Sequence, residues 1–245
     1  MILIKKAPAL EALLQLKQEA EDKKLSDKDG YRLLSGSLKR DVKKALLKEQ
    51  GHLCAYCMRR ISDKELSEGF LEICEAATIE HWQPLSQSNE SGKNKGLDYT
   101  NLLAVCSGNE PKDGEVRQGN KRGYLICDKK KENTLILVNP LDETTLKTIR
   151  YGSDGKISST DGSINRDITE TLNLNCEKGG LLLPQNRKAA LEEVQQAVFN
   201  SGNSDEEIKQ ECINLLAYFK GETDPKTPYV GIIIWWLQEQ IKNMP

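Results

Sequence analysis

Histidine is scarce in this chain, which has only two among its 245 residues. An excess of charge is also lacking: the formal net charge is −2, so the protein is not a uniformly basic coat for nucleic acid, although a locally basic face remains open. The N-terminal segment lacks the apolar core of a signal peptide, and the most apolar run, GIIIWWL at 231–237, is too short to span a bilayer. These absences predict a soluble, cytoplasmic protein without a membrane partner.

Seven cysteines are present, an odd number that argues against a disulfide framework in a reducing compartment. Cys54 and Cys57 have the C-x2-C spacing that lets two thiolates hold one tetrahedral zinc ion from a tight turn. Cys106 and Cys127 end the apolar runs NLLAVC and GYLIC, which we interpret as strand ends that supply the second pair. The sequence thus predicts one structural zinc site. The alternative is that Cys106 and Cys127 are small buried hydrophobic side chains.

The remaining cysteines and the first histidine have no such spacing. Cys74, Cys176 and Cys212 are predicted to pack in the core, and His52 to flank the C-x2-C pair without binding metal.

Sequence texture divides the chain into three regions. Residues 1–50 have helical periodicity, and residues 51–140 are irregular, cysteine-bearing and punctuated by glycine and proline. Residues 141–245 begin with a strand hairpin around the turn GSDGK and continue as helices. The run TLILVNP, at 134–140, is also predicted to be a strand. The predicted fold class is α+β.

The second histidine stands in the stretch TIEHWQPLSQ, at 78–87. Glu80 directly precedes His81, Asn101 opens NLLAVC, and Asp128 follows Cys127 at the start of a lysine run. This order resembles the ββα-metal, or HNH, nuclease motif. In that motif a strand ends in Asp/Glu-His, an asparagine braces the loop, and a helix supplies a second metal ligand. The resemblance implies a zinc-stabilised ββα-metal core flanked by helical N- and C-terminal regions.

Phosphodiester hydrolysis requires residues of these types. A base must activate water, and a cation must neutralise charge on the phosphate and the leaving oxygen. His81, neutral near pH 7, suits the base, while Glu80 and Asp128 offer hard oxygens to Mg²⁺ or Mn²⁺. By resemblance, Asn101 holds the loop through backbone hydrogen bonds. A base on an exposed strand end should contribute little to stability.

The resemblance extends beyond the motif to one family. The segments MILIKKAPALEALLQLK, CAYCMRRI, IEHWQPLS, LDYTNLLAVC, CDKKK, ITETLNLN and NRKAAL are similar to the HNH subunit (PtuB-like) of Septu-type antiphage systems, a family also found beside retrons. It implies an effector nuclease that works with an ABC-type (PtuA-like) ATPase in bacterial defence. A retron reverse transcriptase with its DNA–RNA product is a further implied partner. Glu80 replaces the commoner aspartate of HNH enzymes, and Asp128 replaces histidine or asparagine, but both keep an oxygen ligand.

A basic excess between residues 112 and 131 predicts where the substrate's phosphates bind. The residues chosen are Lys121, Arg122, Lys129 and Lys130. The lysines at 129–131, together with Arg59 and Arg60 after the C-x2-C pair, would also offset the charge of a zinc–thiolate site. An ordinary solvated loop is the alternative. DNA and RNA, including a structured RNA such as tRNA, remain equally open as substrates.

A second function stays open at this point: a non-catalytic zinc module that docks a protein or nucleic-acid partner. In a nuclease, Glu80, His81 and Asp128 should surround one solvent-reached point, whereas in the docking module they need not. The flanking helices, with the apolar stretches CINLLAYF and GIIIWWL, either form a layer around the core or dock the ATPase.

Overall fold

The computed structural model describes residues 1–62, 75–86, 94–109, 124–178, 181–202 and 204–244. Helices predominate over these ranges, and the strands form three two-stranded sheets. The expectation of a mixed α and β fold is confirmed at this level. Within the described ranges, no helix combines the length and apolar character needed to cross a membrane.

Three helices make up the N-terminal region, and the first and third lie in the two segments whose periodicity predicted helix. They are α1 (Glu11–Asp22), α2 (Asp27–Leu33) and α3 (Gly36–Glu49). The hydroxyl of Ser26 caps α2 by accepting a hydrogen bond from the backbone N–H of Asp29 at 3.1 Å. Helix α3 buries Val42, Leu46 and Leu47, and so packs one apolar face onto the core.

The central region contains two short sheets and a short helix. Strands β1 (Ile61–Ser62) and β2 (Glu75–Ala76) are parallel, strands β3 (Thr78–His81) and β4 (Leu102–Val105) are antiparallel, and α4 spans Cys127–Lys131. In the second sheet His81 lies opposite Leu102. The buried Gln50 side chain pairs with the other edge of β4, donating to the carbonyl of Ala104 and accepting from its N–H, both at 2.8 Å. It thereby replaces a strand partner.

The C-terminal region begins with the predicted hairpin and ends in helices. Its elements are α5 (Glu143–Leu146), β5 (Ile149–Tyr151), β6 (Ile157–Ser159), α6 (Gly162–Arg166), a π-helical turn (Asp167–Thr171), α7 (Leu183–Phe199), α8 (Asp205–Gly221) and α9 (Val230–Asn243). Strands β5 and β6 are antiparallel around the turn, as predicted. Ser204 and Glu207 form a capping box at the start of α8.

The strand predicted for TLILVNP does not form. Residues 134–140 contain no regular element, because side chains satisfy their backbone groups in place of a partner strand. The Asp167 carboxylate accepts from the N–H groups of Leu137 and Val138 at 2.5 and 3.1 Å. The indole N–H of Trp82 donates to the carbonyl of Val138 at 2.9 Å.

The three regions share one hydrophobic core. The backbone N–H of Tyr229, just before α9, donates to the carbonyl of Met58 at 3.0 Å, next to the C-x2-C pair. Near the N-terminus, Ile4 donates to the carbonyl of Pro140 at 2.9 Å. Most of the GIIIWWL run is buried in α9, so its main role is internal packing.

Candidate functional site

Four buried cysteines form a cluster that could hold a metal ion. The sulfur atoms of Cys54, Cys57, Cys106 and Cys127 all lie within 4.8 Å of one another. The Sγ atoms of Cys54 and Cys127 are 3.8 Å apart, as are those of Cys57 and Cys106. A tetrahedron with zinc–sulfur bonds of about 2.3 Å has edges of about 3.8 Å, whereas a disulfide is about 2.05 Å long. The spacing therefore fits four thiolates around one cation.

Local backbone structure brings the four sulfurs together. The N–H of Met58 donates to the carbonyl of Cys54 at 3.0 Å, and Met58 has φ of 60°, so the chain turns tightly around the C-x2-C pair. Cys106 directly follows β4. Cys127 begins α4, which corrects the expectation that it ends a strand. The N–H of Cys127 donates to the carbonyl of Leu172 at 2.9 Å, which fixes it from the C-terminal region.

The other cysteines described lie outside the cluster, as does His52. Cys176 and Cys212 are buried, as core packing requires, and Cys74 falls outside the described residues. Nε2 of His52 lies 3.4 Å from a carboxylate oxygen of Asp224. His52 thus flanks the turn without joining the four sulfurs.

Burial disfavours a thiolate at the cluster unless a cation is bound. Burial raises the pKa of the Cys127 thiol well above its usual value, because a thiolate in an apolar interior lacks solvation. A cation that coordinates all four sulfurs removes this penalty. The guanidinium of Arg187, which is 3% exposed, feels the charges of Cys57 and Cys127 and is the nearby positive group that the sequence did not reveal. Lys131, predicted to serve here, pairs with Glu80 instead.

A second site lies where β3 ends and α4 begins. Glu80, His81 and Asp128 line one open cavity of about 330 Å³, together with Lys28 and Glu132. Glu80 and His81 come from consecutive positions at the end of β3, and Asp128 comes from the first turn of α4. Three residues that are up to 48 positions apart in the chain therefore face the same space.

The Glu80 carboxylate is buried and heavily contacted. Its Oε1 accepts from the ammonium of Lys131 at 2.7 Å and from the hydroxyl of Tyr56 at 3.4 Å. Burial raises the pKa of Glu80 to about 8, the neighbouring Asp128 carboxylate raises it as well, and Lys131 opposes both effects. Two carboxylates in contact repel when both are ionised, so a divalent cation between them would relieve the repulsion.

The imidazole of His81 is held in one orientation. Its Nε2 lies 3.0 Å from the carbonyl oxygen of Gly96, and its ring meets the Tyr31 ring edge-on at 4.4 Å between centroids. Burial lowers the pKa of His81, so the ring is neutral near pH 7. A carbonyl only accepts, so Nε2 carries the proton and Nδ1 keeps the lone pair of a base. His81 is 8% exposed, so the expectation of an exposed strand end is wrong, and that exposure no longer supports the prediction of little effect on stability.

Asn101 connects β4 to the loop after His81. Its Oδ1 accepts from the N–H of Gln83 at 2.7 Å, and its Nδ2 donates to the carbonyls of Gln83 and Lys95, both at 3.1 Å. Its own carbonyl accepts from the N–H of Trp82 at 3.0 Å. Each of these bonds reaches backbone, so the side chain braces the loop as the HNH resemblance implies.

The residues predicted to contact phosphate are only partly described. Lys129 and Lys130 are half-buried on α4, while Lys121 and Arg122 lie outside the described residues. Four residues were not predicted from the sequence in the roles that the structure gives them: Tyr31, Tyr56, Lys131 and Arg187. Of these, only Lys131 had a signal in the sequence, because it follows Asp128 by three positions and so lies on the same face of the predicted helix.

Comparison with protein-family models and with curated proteins identifies no relative. No protein-family model matches the chain, and no curated protein matches it. The chemistry of the cavity rests on the groups that line it, which are one neutral imidazole, the Lys28 ammonium and the carboxylates of Glu80, Asp128 and Glu132, with Lys131 paired to Glu80.

Proposed function

We propose that the protein is a metal-dependent HNH endonuclease that hydrolyses phosphodiester bonds of nucleic acid. The observation that supports this most directly is that Glu80, His81 and Asp128 line one open cavity. A neutral base beside two hard oxygen ligands is the set that such a hydrolysis needs.

Each residue has a defined part in the proposed reaction. Nδ1 of His81 takes a proton from the attacking water, while Nε2 stays bonded to the carbonyl of Gly96 and keeps the ring aligned. Glu80 and Asp128 would hold Mg²⁺ or Mn²⁺, which would neutralise charge on the phosphate and the leaving oxygen. Asn101 keeps the loop after the base in place.

The four-cysteine cluster has a structural role in this proposal. A zinc ion there would join the C-x2-C turn, the end of β4 and the start of α4. Asp128 directly follows Cys127, so the ion would also fix Asp128 opposite Glu80. Four cysteines leave no open coordination position, which suits structure better than catalysis.

The alternative is a non-catalytic zinc module that docks a partner. One observation favours it: the Lys131 ammonium already pairs with Glu80, so this carboxylate has a cation without any metal. Lys131 and Tyr56 both contact Oε1 of Glu80, however, and the neighbouring Asp128 carboxylate adds further oxygens for a divalent cation. Only measured cleavage separates the two functions.

The decisive experiment compares the two histidines of the chain. Purified protein is incubated with plasmid, single-stranded DNA and total RNA, with and without Mn²⁺ and the neighbouring ATPase. His81→Ala should abolish cleavage, and His52→Ala should retain it, since both are 8% exposed but only His81 lines the cavity. Zinc content should be parental in both. Cleavage by His81→Ala at the parental rate would refute the assignment of the base.

We also propose, from the resemblance alone, that a partner ATPase holds the nuclease inactive or delivers its substrate during antiphage defence in the bacterial cytoplasm. The isolated region 51–140 cannot test this, because it shares a core with both flanks. Surface variants of the full chain can: Ile213 and Tyr218 on α8 are 41% and 63% exposed. Replacing both with serine should weaken co-purification with the neighbouring ATPase. The control replaces Leu135 and Leu137, which are 48% and 57% exposed.

A further inference from the structure

A second cleft, of about 310 Å³, opens between the N-terminal helices and strand β3. Tyr31 from α2, Lys39, Arg40 and Lys43 from α3, and Ile79 from β3 contribute to its lining. It lies next to the cavity of Glu80, His81 and Asp128, because Tyr31 contacts the His81 ring. None of the contacts of the proposed reaction uses this cleft.

The charge of the cleft has one sign. Three of its eight lining residues are basic, and among the residues that the structure describes none of the lining side chains is acidic. Lys39 and Arg40 are exposed, and Lys43 is half-buried. The whole chain carries a formal charge of only −2, so this local excess is not a reflection of overall composition. A concave surface with cations of one sign raises the local concentration of polyanions.

Tyr31 joins the cleft to the cavity. The Lys39 ammonium lies 5.3 Å from the centroid of the Tyr31 ring, and the same ring meets His81 at 4.4 Å. Lys28, three residues before Tyr31 and thus on the same side of α2, lines the cavity. Cations consequently extend from the cleft, past the tyrosine, to the groups proposed to cut.

We propose that this cleft binds the phosphodiester backbone of the nucleic acid and leads it to the cavity of Glu80, His81 and Asp128. The inference rests on the proposed nuclease function and names the surface that holds its substrate. Lys39 and Arg40 contact phosphates on either side of Tyr31, and Lys28 contacts a phosphate nearer the cut. Tyr31 is occupied by Lys39 and His81, so its ring does not read a base. Binding through phosphates alone is independent of base sequence.

Binding is tested separately from cleavage. Fluorescence anisotropy measures the affinity of zinc-loaded protein for a 5′-fluorescein-labelled mixed-sequence DNA strand, its RNA counterpart and a duplex, without Mg²⁺ or Mn²⁺. The test variant is Lys39→Ala with Arg40→Ala. The matched control is Lys178→Ala with Lys242→Ala, which removes two exposed cations elsewhere on the chain.

The salt dependence gives the expected size of the effect. Each lost phosphate contact flattens the slope of log affinity against log salt by about 0.7 for a single strand and about 0.9 for a duplex. The test variant should therefore lose about 1.4 to 1.8 of slope and bind more weakly at low salt, with a parental melting temperature. The control should keep both the parental slope and affinity.

Several results would overturn the inference. The first is an unchanged salt slope in the test variant, and the second is an equal loss of slope in the control. The third is tighter binding of labelled polyglutamate than of the oligonucleotides. Failure of the proposed function is recognised differently. If binding depends on Lys39 and Arg40 but no substrate is cut with Mn²⁺, either by the chain alone or together with the neighbouring ATPase, the cleft binds nucleic acid and the nuclease proposal is wrong.

Discussion

The ammonium of Lys131 lies 2.7 Å from Oε1 of Glu80, and the two side chains are 0% and 7% exposed. The same ammonium donates to the carbonyl of His81 at 3.1 Å. Lys131 ends the helix that Cys127 begins. One buried lysine therefore fastens α4, and with it the cysteine cluster, to the strand end that carries Glu80 and His81.

Above about pH 8, where Glu80 is ionised, Lys131→Met should destabilise the protein by about 3 to 5 kcal/mol, because the Glu80 charge would be left buried without its partner. Urea unfolding of zinc-loaded protein measures the change. Lys130→Met, one position earlier and outside the pair, is the control and should cost far less. If Lys131→Met unfolds at the parental urea concentration, the pair does not hold the helix.

A double variant tests whether the stability loss of Lys131→Met comes from the unpaired charge of Glu80. Glu80→Gln with Lys131→Met removes both charges, so it should recover part of the stability that Lys131→Met loses. Stability losses that simply add would show that the two side chains are not coupled.

The cysteine cluster should contain one zinc ion per chain. Cys127→Ser should lower the zinc measured by elemental analysis and reduce thermal stability, because a structural site contributes directly to folding. Cys212→Ala is the matched control, since Cys212 is fully buried but lies outside the cluster. No zinc in the parent, or a Cys127→Ser protein of parental zinc content and stability, would contradict the prediction.

Asn101→Ala should destabilise the loop that follows His81. Three hydrogen bonds from its side chain to the backbone are lost, each worth on the order of 1 kcal/mol, so a loss of about 3 kcal/mol is expected. Cleavage should fall with it, while zinc content stays parental. The control is Asn243→Ala, at an exposed position at the end of α9, which should change neither stability nor cleavage. Parental stability and cleavage in Asn101→Ala would count against the bracing role.

The cysteine cluster could be predicted from the sequence because its signal is local. The C-x2-C spacing of Cys54 and Cys57 is set by the geometry of a tight turn, and Cys106 and Cys127 each follow an apolar run. Helices α1 and α3 were predictable for the same reason, since apolar periodicity indicates which face is buried, whereas α2 buries only Gly30 and has no such pattern.

Contacts between distant segments left no such signal. The burial of His81 depends on Tyr31, 50 positions earlier, and the loss of the TLILVNP strand depends on Asp167, which satisfies the N–H groups of Leu137 and Val138. A β-like composition states only that a segment fits an extended, half-buried environment. Which group then satisfies its backbone is decided by the tertiary fold.

Arg187 provides the last prediction. Its guanidinium donates to the carbonyls of Leu174 and Gly155 at 3.0 and 3.1 Å, and no carboxylate among the described residues pairs with it. Burial lowers the pKa of Arg187, and the neighbouring Tyr151, Cys57, Tyr229 and Cys127 side chains oppose that shift. One zinc ion with four thiolates has a formal charge of −2, so the metal-loaded cluster would stabilise the buried guanidinium.

Arg187→Met should therefore lose zinc faster than the parent when a chelator is added, as followed with a zinc-sensitive dye. Arg187→Lys keeps the charge but loses the forked hydrogen bonds, so its rate of zinc release should lie between those of the parent and Arg187→Met. Arg150→Met, at an exposed position of β5, should release zinc at the parental rate. If Arg187→Met and Arg187→Lys release zinc equally fast, the hydrogen bonds and not the charge account for the effect. If both match the parent, Arg187 does not support the cluster at all.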